Sequence, residues 1–431
     1  MTRYSYPGAE STHRTVLANG ITTLVYQNMT AESVVIEGIL RVGALAESAE
    51  QAGLATFTAE MLMRGSEKWA FEQIYEELES VGAVLSIGGN RHVSDFSGRA
   101  LVEDLPLMLD LLSDCLRRPT FPKKQVEQIR GEIITSLQMR ANETSQMAGL
   151  AFREVLYEGH PYGRSVDGYE DTVGQIGQED LLAFYQHYYG PAGMIVTVVG
   201  AIEPAAAVAQ LEAAFGDWQT SQEPMPDSPA AGRPETTRRV TVDMPGKSQA
   251  NVVLGLPGPK RSEPDYLEAS MANTVLGVFG MMGRLGQRVR EEQGLAYSIY
   301  SQLHGGLGPS PWTVGTGVAP DKVELAIASI LAEIDKIRKE PIPEEELADS
   351  QAYRSGLLPV SLETNDGLAS VITDIELYEL GSDFLQQLPR KVMAMTPESV
   401  QAAAYKYLST EQIVIAIAGP DLDEGKGEHV K

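Results

Sequence analysis

Cys115 is the only cysteine in the chain, so an internal disulfide and a cysteine-rich zinc site are both excluded. It stands in the apolar run around Leu111 and Leu112, which reads as a small buried filler rather than a reactive thiol. Histidine is also sparse. His13, His92, His160, His187, His304 and His429 include no pair at i, i+3 or i, i+4, so no helix face carries the two imidazoles of a zinc helix. No window approaches the ~20 apolar residues of a membrane span. Met1 to Glu10 lacks the apolar core of a signal peptide. A cytoplasmic protein with no membrane partner is therefore expected. Positive charge is short as well: 34 Lys and Arg against 59 Asp and Glu give a net charge of -25. Such a surface repels phosphate backbones, which argues against nucleic acid as a partner. An ordinary acidic surface accounts for the charge; a preference for basic substrates would fit it too, and composition does not separate the two.

What is present is length and an internal repeat. With 431 residues, 43% apolar and 22% charged, the chain can form two or more domains with hydrophobic cores. The first half ends in a helix from Asp180 to Tyr189, a Gly-Pro turn and the run Met194-Ile-Val-Thr-Val-Val-Gly200. The second ends in a helix from Glu398 to Tyr407 and the run Ile413-Val-Ile-Ala-Ile-Ala-Gly419. Both runs read as strands buried on both faces. The beginnings correspond too. Asn19-Gly20 predicts a hairpin ahead of Ile21 to Tyr26, then a strand from Ser33 to Val42 and a helix from about Ala52. Arg239 to Asp243, a strand from Gln249 to Leu256 and a helix from about Asp265 open the second half.

Between the halves lies a Pro-, Ser- and Gly-rich stretch without apolar periodicity, an exposed linker by composition. The expected organisation is a domain over 1–218, a linker over 219–236 and a second domain over 237–431. The fold class is α+β: two duplicated domains, each a mixed β-sheet with helices packed on one face, facing each other across a cleft.

The segment Gly53-Leu-Ala-Thr-Phe-Thr-Ala-Glu-Met-Leu-Met-Arg-Gly65 predicts a helix with Leu54, Phe57, Met61 and Leu62 on one face and Gly65 as its stop. It resembles the signature helix of the insulinase/pitrilysin metallopeptidases. In that family an inverted HxxEH motif places two zinc-binding histidines on one helix face, with a glutamate general base beside the second. The apolar frame matches here, but each chemical position departs: Thr56 replaces the first ligand, Ala59 the base and Glu60 the second ligand. The family's third ligand is a glutamate on a later helix, and its spacing lands on Ser136, with Glu132 one turn earlier. The resemblance thus implies a chain that binds no metal and needs no cofactor of its own. Leu156-Tyr-Glu-Gly-His-Pro-Tyr-Gly-Arg164 is similar to another family stretch, in which His160 is a scaffold residue.

The second half resembles the family through Gly283-Arg-Leu-Gly-Gln-Arg-Val-Arg-Glu-Glu-Gln-Gly-Leu-Ala-Tyr-Ser298. The resemblance gives Arg290 and Tyr297 a role in binding substrate carbonyls and steadying charge on the scissile oxygen. Arg supplies a permanent charge and Tyr a neutral O–H donor. Read locally, Arg290 could instead end a helix paired with Glu291 or Glu292, and Tyr297 could anchor a strand. Leu276 to Gly283 matches the Gly-rich stretch before this helix, and lacks the G-K-[ST] ending of a phosphate loop. Ala83 to Ser97 resembles the edge strand to which family members add a peptide, with a turn or bulge at Gly88, Gly89 and Asn90.

The combination resembles the metal-free, Arg/Tyr-bearing subunit of short two-domain prokaryotic members that work in pairs, an arrangement similar to mitochondrial processing peptidase. It implies a non-catalytic subunit that binds extended peptide and a homologous HxxEH-bearing partner, with the zinc in that partner. Two other functions remain open at this level: an assembly protein like the core subunits of respiratory complex III, or a peptide-binding protein without hydrolysis.

Overall fold

The computed structural model describes residues 6–278, 283–420 and 428–429. Two six-stranded sheets organise the chain. The first contains β1 (Thr12–Val16), β2 (Thr22–Gln27), β3 (Ser33–Leu40), β4 (Val84–Gly89), β5 (Ser94–Leu101) and β6 (Ile195–Gly200). Its order is β1-β2-β6-β3-β5-β4. The second contains β7 (Arg238–Asp243), β8 (Ala250–Pro257), β9 (Ala296–Leu303), β10 (Pro311–Val318), β11 (Val414–Gly419) and β12 (Glu428–His429). Its order is β12-β7-β11-β8-β10-β9. The helices include α1 (Leu54–Met61), α2 (Lys123–Ala141), α3 (Thr144–Leu156), α4 (Tyr266–Asn273), α5 (Val323–Lys339), α6 (Asn365–Leu377) and α7 (Pro397–Tyr407).

The sequence repeat is a repeat of topology. In the first sheet β6 runs parallel to β2 and antiparallel to β3, which is followed antiparallel by β5 and β4. In the second sheet β11 runs parallel to β7 and antiparallel to β8, followed antiparallel by β10 and β9. Both sheets are mixed, as the sequence predicts. The Asn19-Gly20 hairpin forms, with Gly20 at φ +89°. Cys115 is fully buried in the first core, and that burial, with Asp114 beside it, pushes the thiol up to about 12.

Central strands force cover on both faces of each sheet. Every residue of β6 and of β11 is buried. On β6, Val196 and Val198 turn into the main core with Phe57, Leu111 and Leu112. Thr197, between them, turns the other way, and its Oγ1 meets Thr373 Oγ1 of α6 at 2.7 Å. In the second sheet α3 does the same job: Ala148 packs with Met244 and Ala418, and Thr144 Oγ1 donates to Asn251 Oδ1 at 2.7 Å. The main helix layer lies on one face of each sheet, and one further helix closes the other.

Those closing helices explain why the compact units do not follow the contiguous spans 1–218 and 237–431. One unit comprises residues up to 137, 165–227 and 357–388; the other comprises 138–164, 228–356 and 389 onward. The first sheet is closed by α6 from late in the chain, and the second by α3 from its first half. Residues 219–236 are mostly exposed and without regular structure, and one of the several unit boundaries falls inside them, after Asp227. Among the described residues no helix is long and apolar enough to cross a membrane.

The layer between β3 and α6 contains one misplaced charge. Glu37 is half-buried there, pairing in register with Ser97 and Thr197. Burial pushes its carboxyl up to about 7, against a favourable Ser370 hydrogen bond, and Asp374, Asp95 and Asp366 add repulsion. Arg99 lies 3.9 Å from Asp366. A carboxyl raised above its ordinary 4.5 favours the fold fully below that value and loses this contribution as pH climbs to about 7. Glu37→Gln should therefore be more stable than the parent at pH 8, by about 1–3 kcal/mol. The difference should shrink toward pH 5 in paired urea melts, and a gap independent of pH would show that Glu37 is not the titrating group.

Candidate functional site

Helix α1 is built with care for its first turn. Gly53 precedes it at φ +97°, where a Cβ would lie 3.0 Å from both Asp167 O and Gly168 Cα, so only glycine fits. The buried carboxylate of Glu47 accepts from the backbone N–H groups of Gly53 (3.1 Å) and Ala55 (3.0 Å), an anionic cap at the positive helix end. Sequence reading misses Glu47, because it does not stand at a capping-box spacing. The helix is shorter than the Gly53 to Gly65 segment and ends at Met61, with Gly65 at φ +134° in the turn beyond. Its apolar face is kept: Leu54, Phe57, Met61 and Leu62 are all buried.

The positions that would carry chemistry do packing instead. Thr56 is 9% exposed, and its Oγ1 donates to Val166 O at 2.8 Å, tying α1 to the loop that holds Asp167 and Gly168. Ala59 is 0% exposed. The last residue of β4 lies on it: a Cβ at Gly89 would fall 2.7 Å from Thr56 Cα and 3.1 Å from Ala59 Cβ. Glu60 is solvent-accessible, yet protein crowds it closely. Loss of water raises its carboxyl above the usual range, Asp167 and Glu132 add to the rise, and Arg64 opposes it. Ser136 is exposed on α2. Glu132, one turn earlier, accepts from Gln128 Nε2 at 2.9 Å and lies 3.4 Å from Arg64 Nη2. Arg64 in turn lies 4.9 Å from the Phe71 ring centre.

A zinc centre needs at least three donors aimed at one point. Thr56 turns its hydroxyl proton to a carbonyl, Ala59 has no donor atom, and Ser136 offers at best a neutral hydroxyl. The residues at these positions do not fit the metal that the signature helix implies. Among the described residues, no three His, Cys, Asp or Glu side chains group in a way that could hold a metal ion.

Arg290 and Tyr297 are brought together by a different device. Arg290 sits in a wide π-helical segment, Gly286–Glu292, a geometry that recurs at functional sites. The chain reverses at Gly294, at φ +60°, and enters β9, whose second residue is Tyr297. The Arg290 guanidinium comes 5.3 Å from the Tyr297 ring centre, a cation–π contact. Arg290 Nε also lies 3.4 Å from Glu291, while Glu292 pairs with Arg288 at 2.7 Å. Tyr297 is 86% exposed, and its hydroxyl has no partner among the described residues. Arg284 fixes the start of the segment through two bonds to Glu346, at 2.8 and 2.6 Å. Of the preceding Gly-rich stretch, residues 279–282 lie outside the described residues.

Two remaining expectations can be placed. Strands β4 and β9 are the terminal strands of their sheets. Gly88 and Gly89 belong to β4, and Asn90 opens the turn into β5, its N–H donating to Val93 O at 2.9 Å. His160 uses both ring nitrogens: Nδ1 accepts from Tyr162 N (3.0 Å) and Nε2 faces Pro229 O (3.0 Å). The first bond assigns the proton to Nε2. With the Tyr157 hydroxyl donating to Pro309 O, this is a structural corner.

The packing at Ala59 can be tested directly. Ala59→Glu would drive a carboxylate into a fully buried position and should destabilise the chain by about 3 kcal/mol or more. Glu60→Gln should be neutral or slightly stabilising, because it relieves a crowded carboxyl. Urea denaturation of both variants at neutral pH checks the pair; a neutral Ala59→Glu would mean that the space beside α1 is open.

The sequence matches the family model described as "Insulinase (Peptidase family M16)" over residues 23–168. It matches "Peptidase M16 inactive domain" over residues 175–353. An uncharacterized zinc protease of Streptomyces coelicolor is 26% identical, over 97% of this chain and 91% of the relative. A probable mitochondrial-processing peptidase subunit beta of Arabidopsis thaliana is 23% identical, over 96% of this chain and 80% of the relative. The crystal structure of a peptidase M16 inactive domain from Pseudomonas fluorescens superposes with a TM-score of 0.87 at 23% identity, covering 95% of this chain and 98% of that one. The topology, the α1 segment and the Arg290 to Tyr297 segment agree with these matches: the chain belongs to the insulinase family of M16 peptidases.

Proposed function

We propose that this chain is the metal-free subunit of a two-chain zinc peptidase. A homologous HxxEH-bearing subunit would hold the zinc, and this chain would bind extended peptide and supply Arg290 and Tyr297 to that subunit's active site. The observation that carries this reading is a contrast within one chain. Helix α1 has turned its chemical positions into packing, with Thr56 bonded to Val166 O and Ala59 against Gly89. The Arg290–Tyr297 pair remains assembled and presents its ring to solvent.

The pair suits the task. Arg290 offers a cationic N–H fork and Tyr297 an O–H without a partner among the described residues; two such donors match an oxyanion forming on a scissile carbonyl. The ring contact restricts where the guanidinium can point, so less freedom is lost when substrate arrives. An extended peptide would find unpaired backbone at the terminal strands β4 and β9. The similarity to a processing-peptidase subunit and to an inactive M16 domain agrees with pairing to a second M16 chain.

Reconstitution tests the proposal. The purified chain should associate with an HxxEH-bearing homologue from the same organism, and peptidase activity should appear only in the mixture. Arg290→Ala and Tyr297→Phe should each lower kcat/KM by roughly 10- to 100-fold while leaving association unchanged. Full activity of a complex carrying both substitutions would assign the pair to scaffold and favour a purely assembly role. Stoichiometric zinc in the isolated chain would overturn the metal-free reading.

A further inference from the structure

One cavity lies wholly within the unit of the first sheet and includes no residue of α1. It measures about 790 Å³, within the range of small-ligand sites. Its floor is apolar: Leu24 of β2, Pro204, and Ile372 and Ile375 of α6. Its walls are acidic. Glu376 is already neutralised by Arg14, whose Nε and Nη2 reach its two oxygens at 3.0 and 2.7 Å. Glu10 and Glu379 also line the cavity, and neither has a side-chain partner among the described residues. His13 is engaged with Thr15 Oγ1 at 3.2 Å. Glu376 lies in the last turn of α6 and Glu379 two residues past its end; that turn has no basic residue, so the helix dipole adds to the negative potential.

We infer that this cavity is a binding site for an organic cation on a hydrocarbon stem: a primary ammonium or guanidinium seated against Glu10 and Glu379, its alkyl chain on the Leu24–Ile372–Ile375 floor. The chain contains its own precedent, since Arg14 already places a guanidinium on the adjoining carboxylate. An anion would meet the carboxylates of Glu10 and Glu379, which no cation of the described residues pairs. A neutral apolar ligand would strip water from both carboxylates and return nothing to them. The same chemistry is offered by the lysine or arginine side chain of an extended peptide and by a free alkylamine. The peptide source is favoured by β1, the terminal strand of its sheet, whose residues Thr12 to Arg14 line the cavity.

Methyl spectra of the full chain labelled at isoleucine δ1 provide the test, with n-hexylamine, hexanol and hexanoate as probes at pH 7.5 and low salt. Hexylamine should shift the Ile372 and Ile375 resonances saturably, with hexanol and hexanoate binding at least about 5-fold more weakly. The surface double variant Glu10→Gln/Glu379→Gln should weaken hexylamine by roughly 5- to 10-fold and leave hexanol unchanged. Equal affinities for hexylamine and hexanol, or hexylamine binding indifferent to the double variant, would overturn the site. A blocked peptide with one central lysine, compared with its Nε-acetyl form, distinguishes the sources. Lysine-dependent binding tighter than hexylamine supports the site with a peptide ligand; hexylamine binding without peptide binding supports it with a free amine.

Discussion

Every residue of β6 and every residue of β11 is buried, and a strand of that kind needs cover above and below it. One helix layer cannot provide both. Each sheet therefore recruits a second cover, α6 for the first and α3 for the second, and each cover comes from the other half of the sequence. The consequences spread outward. The chain must pass between the units several times, so the boundary cannot be a single linker. The α6 layer traps Glu37 under partial burial, because a strand that pairs through Thr197 also carries a carboxylate on the same face. The C-terminal end of α6, projecting past β2, forms one wall of the acidic cavity.

Much of the fold is legible in the sequence because its signals are local. The Asn19-Gly20 turn, the β-branched runs ending at Gly200 and Gly419, and the linker composition all report on neighbours a few residues apart. The covers α3 and α6 are not legible in the same way. Their apolar periodicity says that each packs on something, but not on which sheet. Candidate positions on α1 are also legible, since Thr56, Ala59 and Glu60 occupy the places of a known motif. Their partners are not. Thr56 finds Val166 across 110 residues, and the glycine lying on Ala59 belongs to another strand. Glu47 escapes for a different reason: it caps α1 from six and eight residues upstream, outside the spacing of a capping box. The expected contact of Arg290 with a neighbouring glutamate exists, and the ring contact to Tyr297 exists beside it; spacing alone could not say that both would form.

The two motif segments use their polar positions in opposite ways. On α1, polar function has given way to closeness. A hydroxyl ties the helix to a loop, a methyl group receives a glycine, and the helix start is held by a buried carboxylate. Each contact makes the helix a better structural member and leaves less room for a metal and its water. The carboxylate left at Glu60 is raised toward its neutral form, first by burial and then by Asp167 and Glu132, with Arg64 opposing.

Tyr297 raises the contrary question of why a side chain that the fold does not use is held in place. Its ring is 86% exposed and buries little apolar surface. Its hydroxyl bonds to nothing among the described residues. Stability in this chain is won by burial, as in β6 and α1, and a terminal strand is better protected by charge than by an exposed aromatic. The Arg290 contact orients the ring, but an exposed cation–π pair contributes only about 0.5–1 kcal/mol, which is little reason to keep both residues at a free sheet edge. The glycine reversal at 294 and the double Arg284–Glu346 anchor nonetheless hold the segment in position. The ring thus stands beside the Arg290 guanidinium in a segment secured through Glu346, and its O–H, without a partner among the described residues, is a donor of the kind that suits a carbonyl oxygen.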